Sequence, residues 1–295
     1  MRLLSLDGGG VFGVGQAMVL SETDNSVWDA VAGTSIGSVT AASIALGKPV
    51  SVSFFREHMP KIFKRTWATN PVFSGRYDDK RLNESLSSLF GGAVMKDSPV
   101  PLYITASSVG RKSLRVFSST SHEDAELLIS DVVRASCAAQ TYFRPWMGYG
   151  DGGVFANNPS VVAVSKCVLD EVADIGEIEL FSIGTGVFRG GSVATGDGIL
   201  FWSKWLTEAL FEGGSDRMFS DIADSLPLQA CKRYQFVKKE GWRIDSVADM
   251  EKAIAEWQSQ AMRFSADIRA SIKRDDSVLV LSRRDSDEVM SEVLK

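Results

Sequence analysis

The sequence predicts an α/β fold: a mainly parallel central sheet with helices on both faces, plus a C-terminal helical extension. Three observations predict it. Short apolar segments at 2–6, 27–32, 102–107, 114–118 and 179–183 read as strands, and helical stretches separate most of them. Alternation at this spacing is the pattern of a mainly parallel sheet covered on both faces. Glycine-bearing turns follow the first two strands at once, as expected where a strand bends sharply into a helix. Beyond about residue 190 the chain becomes more helical and more charged, behind a Gly- and Ser-rich seam at 189–197. The expected division is a core over 1–190 and a mostly helical extension over 191–295, packed on that core within one domain.

The first strand, 2–6, runs into Asp7-Gly8-Gly9-Gly10-Val11-Phe12-Gly13, ahead of a helix at 16–20. A glycine run in that position exposes consecutive backbone N–H groups and makes an anion site. The anion is either a nucleotide phosphate or the oxyanion of an acyl-transfer intermediate. Gly8, Gly10 and Gly13 do satisfy the dinucleotide pattern G-x-G-x-x-G, and Asp29 follows at the distance of a ribose-binding acid. That acid belongs at the C-terminal end of the second strand, however, and Asp29 stands near its beginning. The dinucleotide reading fits badly.

The second strand leads into Gly33-Thr34-Ser35-Ile36-Gly37 and a helix at 36–46 rich in Ala, Ile, Val and Ser. G-x-S-x-G is the nucleophile-elbow pattern, in which flanking glycines clear the bend and leave the serine hydroxyl exposed at the sheet's edge. The competing reading is a helix start capped by Thr34 or Ser35. Further helices are expected at 52–65, 80–90, 131–139 and 160–172, with a long loop at 67–77.

A serine nucleophile needs a base, and this chain offers two histidines, His58 and His122. The order serine, acid, histidine leaves only His122 to close a triad, and it sits in the polar stretch Ser121-His122-Glu123-Asp124. Both histidines read as surface residues. A carboxylate acting directly is the economical base, and Asp151 in Asp151-Gly152-Gly153 leads the candidates.

Asp7–Gly13, Gly33–Gly37 and Asp151–Gly153 together resemble the three signature motifs of patatin-like phospholipases, in family order. The stretch 134–143 resembles that family's Ala-rich helix leading to an aromatic, and Ser182-Ile183-Gly184-Thr185-Gly186 its late strand and turn. The resemblance spans about the first 190 residues. It implies a Ser35–Asp151 dyad, an oxyanion hole from Gly8, Gly9 and Gly10, and phospholipase A-type cleavage of fatty acyl esters without metal or cofactor. Gly13, Gly33, Gly37, Gly152 and Gly153 are then motif glycines. One departure is Phe12, where the family commonly carries a basic residue; another is the short segment between Gly13 and Gly33, which implies a trimmed first helix. Compact bacterial effectors of this family, triggered by cyclic nucleotides, are similar in size, so ligand-activated hydrolysis is the alternative. A non-catalytic binding module is disfavoured by the intact Ser35 and Asp151.

A net charge of −5 and a pI near 5.3 argue against a nucleic-acid partner. Cys137, Cys167 and Cys231 are widely spaced and read as reduced thiols of a cytosolic protein. A strand at Arg2 leaves no room for a signal peptide, and no run reaches the length of a membrane span. The expected location is therefore cytoplasmic with peripheral membrane association, the partner a phospholipid or other fatty acyl ester; a homo-oligomer is compatible with the sequence. The stretch 199–211 carries Trp202 and Trp205 on one helical face, suited to a lipid interface or to ordinary packing. Phe143, Trp146 and Phe155 are candidates for lining an acyl channel. Ser246 and Asp249 resemble a capping box for a docked helix at 249–273, and 278–281 is strand-like.

Overall fold

The computed structural model describes residues 1–49, 51–65, 75–188, 198, 201, 202, 205 and 214–293. The chain begins with β1 (Arg2–Leu6), α1 (Val14–Leu20), β2 (Ala30–Thr34), α2 (Ile36–Ala45), α3 (Val52–Ile62) and α4 (Asp79–Phe90). The hairpin β3 (Leu102–Ser108) and β4 (Ser113–Ser118) follows, then α5 (Ile129–Ser136), β5 (Tyr149–Asp151), the single turn α6 (Gly153–Ala156) and α7 (Ser160–Leu169). After β6 (Glu179–Ile183) and β7 (Val187–Phe188) come α8 (Gly214–Ser225), β8 (Ala230–Tyr234), β9 (Val237–Lys238) and the long α9 (Val247–Val293).

The main sheet runs β4-β3-β2-β1-β6-β8, with β5 also paired to β3. The pairs β1–β2, β2–β3, β1–β6 and β6–β8 are parallel, while β4 and β5 run antiparallel to β3. Strand side chains alternate between two cores, as the two-residue period requires. Leu4 and Leu6 of β1 enter the larger core with α1, α2, α5 and the Trp257 side of α9. Leu3 enters the smaller one, with Ala163, Val164 and Cys167 of α7. The predicted α/β class, with helices on both faces, is the observed one.

Two features of this topology build a site. β1 lies between β2 and β6, so connections leave it in opposite directions and open a crevice outside the carboxyl ends of the strands. The second feature is a hand-over along β3. β2 pairs with β3 as far as Thr34↔Thr105, and β5 takes over at Ala106↔Asp151. The chain leaving β2 therefore meets the end of β5 almost head-on.

Several expectations shift. The second strand starts at Ala30 rather than 27, because the Asp24 carboxylate accepts the Ser26 N–H and curls 25–27 into a 3-10 turn. α1 is short, seven residues behind a 3-10 turn at Gly10–Gly13. β5 and β8 were not anticipated, and β8 joins the extension directly to the main sheet. Residues 278–281 lie within α9 instead of forming a strand; four apolar residues in a row do not distinguish the two. Ser246 Oγ accepts the Asp249 N–H (3.2 Å), but the Asp249 carboxylate turns to the Arg243 N–H, so the capping box is half formed. Most of the 199–211 stretch lies outside the described residues. Within it the Trp202 and Trp205 rings touch, with centroids 5.5 Å apart, and both are about half exposed.

Candidate active site

Thr34 ends β2 and α2 begins at Ile36, so Ser35 alone makes the bend, with φ 53° and ψ −125°. That combination is strained for any residue with a Cβ. The local packing enforces it. A Cβ on Gly37 would run into the carbonyls of Leu6 and Asp7, so only glycine lets α2 start against β1. Ser136 Oγ accepts the Ser35 N–H (2.8 Å), and the Ser35 carbonyl takes both the N–H and the hydroxyl of Ser38. The Ser35 hydroxyl makes no capping hydrogen bond to α2. It donates instead to Asp151 Oδ2 at 2.5 Å.

Asp151 reaches that position on β5, anchored by its N–H to the Ala138 carbonyl (2.9 Å) and by Ser107 Oγ on its own carbonyl (2.5 Å). Its second carboxylate oxygen accepts the Gly153 N–H at 2.7 Å. The residue is 1% exposed. Burial pushes its pKa up to about 6, against the lowering effect of the Ser35 and Gly153 hydrogen bonds. The Asp151 carboxylate has no ion-pair partner among the described residues, so nothing cationic offsets the burial.

The glycine loop arches over the same pocket. Gly10 has φ +58°, and a Cβ there would strike the Ile244 carbonyl, which already accepts the Val11 N–H (2.9 Å). Gly8 donates its N–H to the Asn157 carbonyl (3.0 Å), and its own carbonyl accepts Thr185 Oγ1 (2.5 Å). Gly8 thus differs from the expectation that its N–H faces a substrate. The N–H groups of Gly9 and Gly10 meet no partner among the described residues, and both glycines line a pocket with Ser35, Asp151, Asn157, Tyr142 and Ile244. Behind the loop, Gln16 Nε2 holds the Asp7 carbonyl (2.9 Å), and Arg233 grips the Asp7 carboxylate with both Nη atoms.

From Ser35 an apolar slot runs between α2, α3 and α4, lined by Ile36, Val39, Phe54, Met59, Leu82, Leu86 and Phe143. Phe143 takes the lining position expected of it. Trp146 and Phe155 are outside the slot: the Trp146 indole donates to Asp131 (2.9 Å), and Phe155 is 39% exposed. Phe12 is buried and stacks on Trp242, with ring centroids 5.8 Å apart. Neither histidine bonds to Ser35 or Asp151. His58 is half-buried, stacked on Phe54 with Nδ1 3.0 Å from Ser85 Oγ, and His122 is exposed. Gly13, Gly33 and Gly152 all stand where a Cβ would collide with neighbouring atoms, and the Gly153 N–H orients Asp151. Among the described residues no group of three or more His, Cys, Asp or Glu is placed to hold a metal ion.

The supporting residues Ser136, Asn157, Gln16 and Arg233 escaped the sequence reading. Single polar residues acting across more than 100 positions leave no local pattern. Thr185 and Ser136 did lie in stretches already singled out, 182–186 and 134–143, which was the available signal.

The chain is similar to several known proteins. The chain is 26% identical over 227 residues to a cGAMP-activated phospholipase of Vibrio cholerae, covering 63% of this chain and 64% of that one. A cUMP-AMP-activated phospholipase of Escherichia coli is 28% identical over 214 residues, covering 63% and 65%. Patatin-like protein 1 of Arabidopsis thaliana is 27% identical over 247 residues, covering 63% and 59%. The chain thus spans less than two thirds of the length of each of these relatives. The family model for patatin-like phospholipases matches residues 4–164, which is more than half of the chain and includes all three glycine motifs, so this protein belongs to the patatin-like phospholipase family.

Proposed function

We propose that the protein is a lipid acyl hydrolase that cleaves fatty acyl esters with a Ser35–Asp151 dyad. The observation that carries this reading is the 2.5 Å hydrogen bond from Ser35 Oγ to a buried carboxylate that has no ion-pair partner among the described residues. A carboxylate raised to about 6 is still mostly ionised at neutral pH and is a better proton acceptor than an ordinary one. Asp151 takes the proton as Ser35 Oγ attacks the ester carbonyl, and the N–H groups of Gly9 and Gly10 receive the developing oxyanion. The tetrahedral intermediate collapses, the C–O bond to the alcohol breaks, and Asp151 returns the proton to the departing alkoxide. A water then loses its proton to Asp151 and attacks the acyl-serine; the bond to Ser35 Oγ breaks, the fatty acid leaves, and Asp151 returns the proton to Ser35 Oγ. The acyl chain occupies the slot behind Ile36 and Val39.

Peripheral contact with a lipid surface belongs to this reading, since the half-exposed Trp202 and Trp205 have the character of interfacial indoles. No helix among the described residues is long and apolar enough to cross a membrane. A second reading, activation by a cyclic nucleotide, is favoured by the similarity to the cGAMP-activated and cUMP-AMP-activated phospholipases.

The test is hydrolysis of a fluorogenic acyl ester and of mixed phospholipid vesicles, each with and without a cyclic dinucleotide. Ser35→Ala and Asp151→Asn should each lower kcat by roughly 1000-fold or more with an unchanged circular dichroism spectrum. His58→Ala and His122→Ala should retain activity within a few-fold. A His122→Ala protein as inactive as Ser35→Ala would replace the dyad with a triad. Turnover seen only with the nucleotide would establish the second reading.

A further inference from the structure

We propose that Arg76 and Arg243 form a subsite for the phosphodiester of a glycerophospholipid at the mouth of the Ser35 pocket. This deepens the hydrolase reading above and rests on it. The two arginines come from distant parts of the chain and converge on one carboxylate. Arg76 Nη1 donates to Asp245 Oδ2 (3.2 Å), while Arg243 donates Nε to Oδ1 (3.1 Å) and Nη2 to Oδ2 (3.0 Å). The Tyr77 hydroxyl completes the cluster at 2.6 Å from Oδ2.

The cluster borders the pocket on two sides. Ile244, between Arg243 and Asp245, lines the pocket with Ser35, and its carbonyl holds the glycine loop at Val11. Tyr142 lines it too, and the Arg76 guanidinium lies 4.7 Å from the centre of the Tyr142 ring. One aromatic ring and one loop residue thus separate these cations from the pocket that holds the serine hydroxyl. With an ester carbonyl at Ser35, a phosphodiester a few bonds away on the same glycerol would project toward the side of the pocket that Tyr142 and Ile244 line.

Charge points the same way. Two guanidinium groups face a single carboxylate, so a positive excess remains, and Arg65 lies close enough to the Tyr77 phenol to favour its ionised form. The nearest further acid on this segment, Asp249, is engaged by Lys252 and by the Arg243 N–H. Among the described residues, Nε and Nη2 of Arg76 and Nη1 of Arg243 have no partner. The Arg243 side chain is 57% exposed and Arg76 28%, so these donors are open to a ligand. Planar guanidinium groups with free donors are the preferred partners of phosphate oxygens. A diacylglycerol or simple fatty ester offers them no anionic oxygen, only neutral acceptors.

The experiment compares dioleoylphosphatidylcholine with dioleoylglycerol in the same mixed micelles. The acyl chains are identical and neither lipid carries net charge. For the double variant Arg76→Gln, Arg243→Gln, the ratio of kcat/KM on phosphatidylcholine to that on diacylglycerol should fall about tenfold or more. The matching Arg→Lys pair should recover part of the ratio, because charge survives while the planar fork is lost. An unchanged ratio, with both substrates affected alike, would overturn the proposal. A second arm needs no turnover and separates failure of the subsite from failure of the hydrolase reading. In Ser35→Ala protein, calorimetric binding of monomeric dihexanoylphosphatidylcholine should weaken at least fivefold when both arginines become glutamine. Unchanged lipid affinity, or arginine-dependent binding of a soluble cyclic dinucleotide in its place, would assign the cluster elsewhere.

Discussion

Two buried carboxylates, Asp151 and Asp245, lie beside the same pocket and have opposite surroundings. Asp151 receives a serine hydroxyl and one backbone N–H, with no cation among the described residues, and burial raises its pKa to about 6. Burial would raise Asp245 as well, but hydrogen bonds from Tyr77, Arg243 and Arg76 and the charge of Arg243 outweigh it and hold its pKa below the usual range. Tyr77 responds in the other direction, pushed up to about 12 by burial and by the adjacent carboxylate. A buried acid clamped by guanidinium groups is committed to its anionic form and organises structure. A buried acid left without a cation sits near the balance point where it can exchange a proton. The contrast, rather than burial itself, separates the candidate base from the scaffold acid.

The largest break in this comparison is expected from stability. Asp245→Asn removes the charge that several donors converge on, and should cost about 3 kcal/mol at pH 7. Asp151→Asn should act with the opposite sign. Its native pKa of about 6 exceeds the ordinary 3.8, so the folded protein binds the proton more tightly. Asp151 therefore weakens the fold as pH rises through that window, and a neutral amide should raise Tm at pH 8 by a few degrees. At pH 5, inside that window, about half of the gain should remain, and it should vanish only as the pH falls below about 4, where the unfolded carboxyl is protonated too. Asp245, with a depressed pKa, should lose its contribution as pH falls. Thermal melts of both variants from pH 4 to 8 check this, and equal destabilisation at pH 8 would end the distinction.

A sharper and smaller effect lies in the pH–rate profile. With a base near 6, kcat/KM on a neutral ester should fall about tenfold per pH unit on the acid side and level off above neutrality. His58 is a competitor for this inflection, since burial lowers its pKa from the ordinary imidazole value. The inflection should survive His58→Ala unchanged. Its disappearance in that variant would move the base from Asp151 to the histidine.

How much of this was legible depended on the kind of residue involved. Ser35 and the glycines around it were readable because a tight turn between strand and helix restricts residue type within a few positions. Asp151 was readable through its own glycine turn and by elimination of two poor histidines. Its contact with Ser35 was not, because that follows from β5 continuing along β3 where β2 stops, and a three-residue strand has no periodicity. β8, carrying Lys232 and Arg233 with every residue but Tyr234 only partly buried, lacks the apolar run that marks a strand. The Asp245 cluster was invisible for a further reason. Its members stand at 76, 77, 243 and 245, and only the packing of the glycine loop against Ile244 brings them to the site.

The smallest expected effect concerns strain, which the Asp151 side of the comparison carries on the proposed nucleophile itself. Ser35 holds φ 53° and ψ −125° with a Cβ present, and α2, Ser136 and Ser38 pin its backbone in place. Ser35→Ala and Ser35→Gly both remove the hydroxyl and should be equally inactive. Only glycine relieves the backbone, by a term of about 1–3 kcal/mol, set against roughly 0.5–1 kcal/mol of added chain entropy in the unfolded state. Ser35→Gly should therefore be the more stable of the two by about 1 kcal/mol in urea unfolding, with the same m-value. The alanine variant is the right reference because it keeps the Cβ and loses the same hydrogen bond to Asp151. If the two variants unfold at the same midpoint, the elbow is not strained, and the exposed hydroxyl owes nothing to a stability sacrificed at this position.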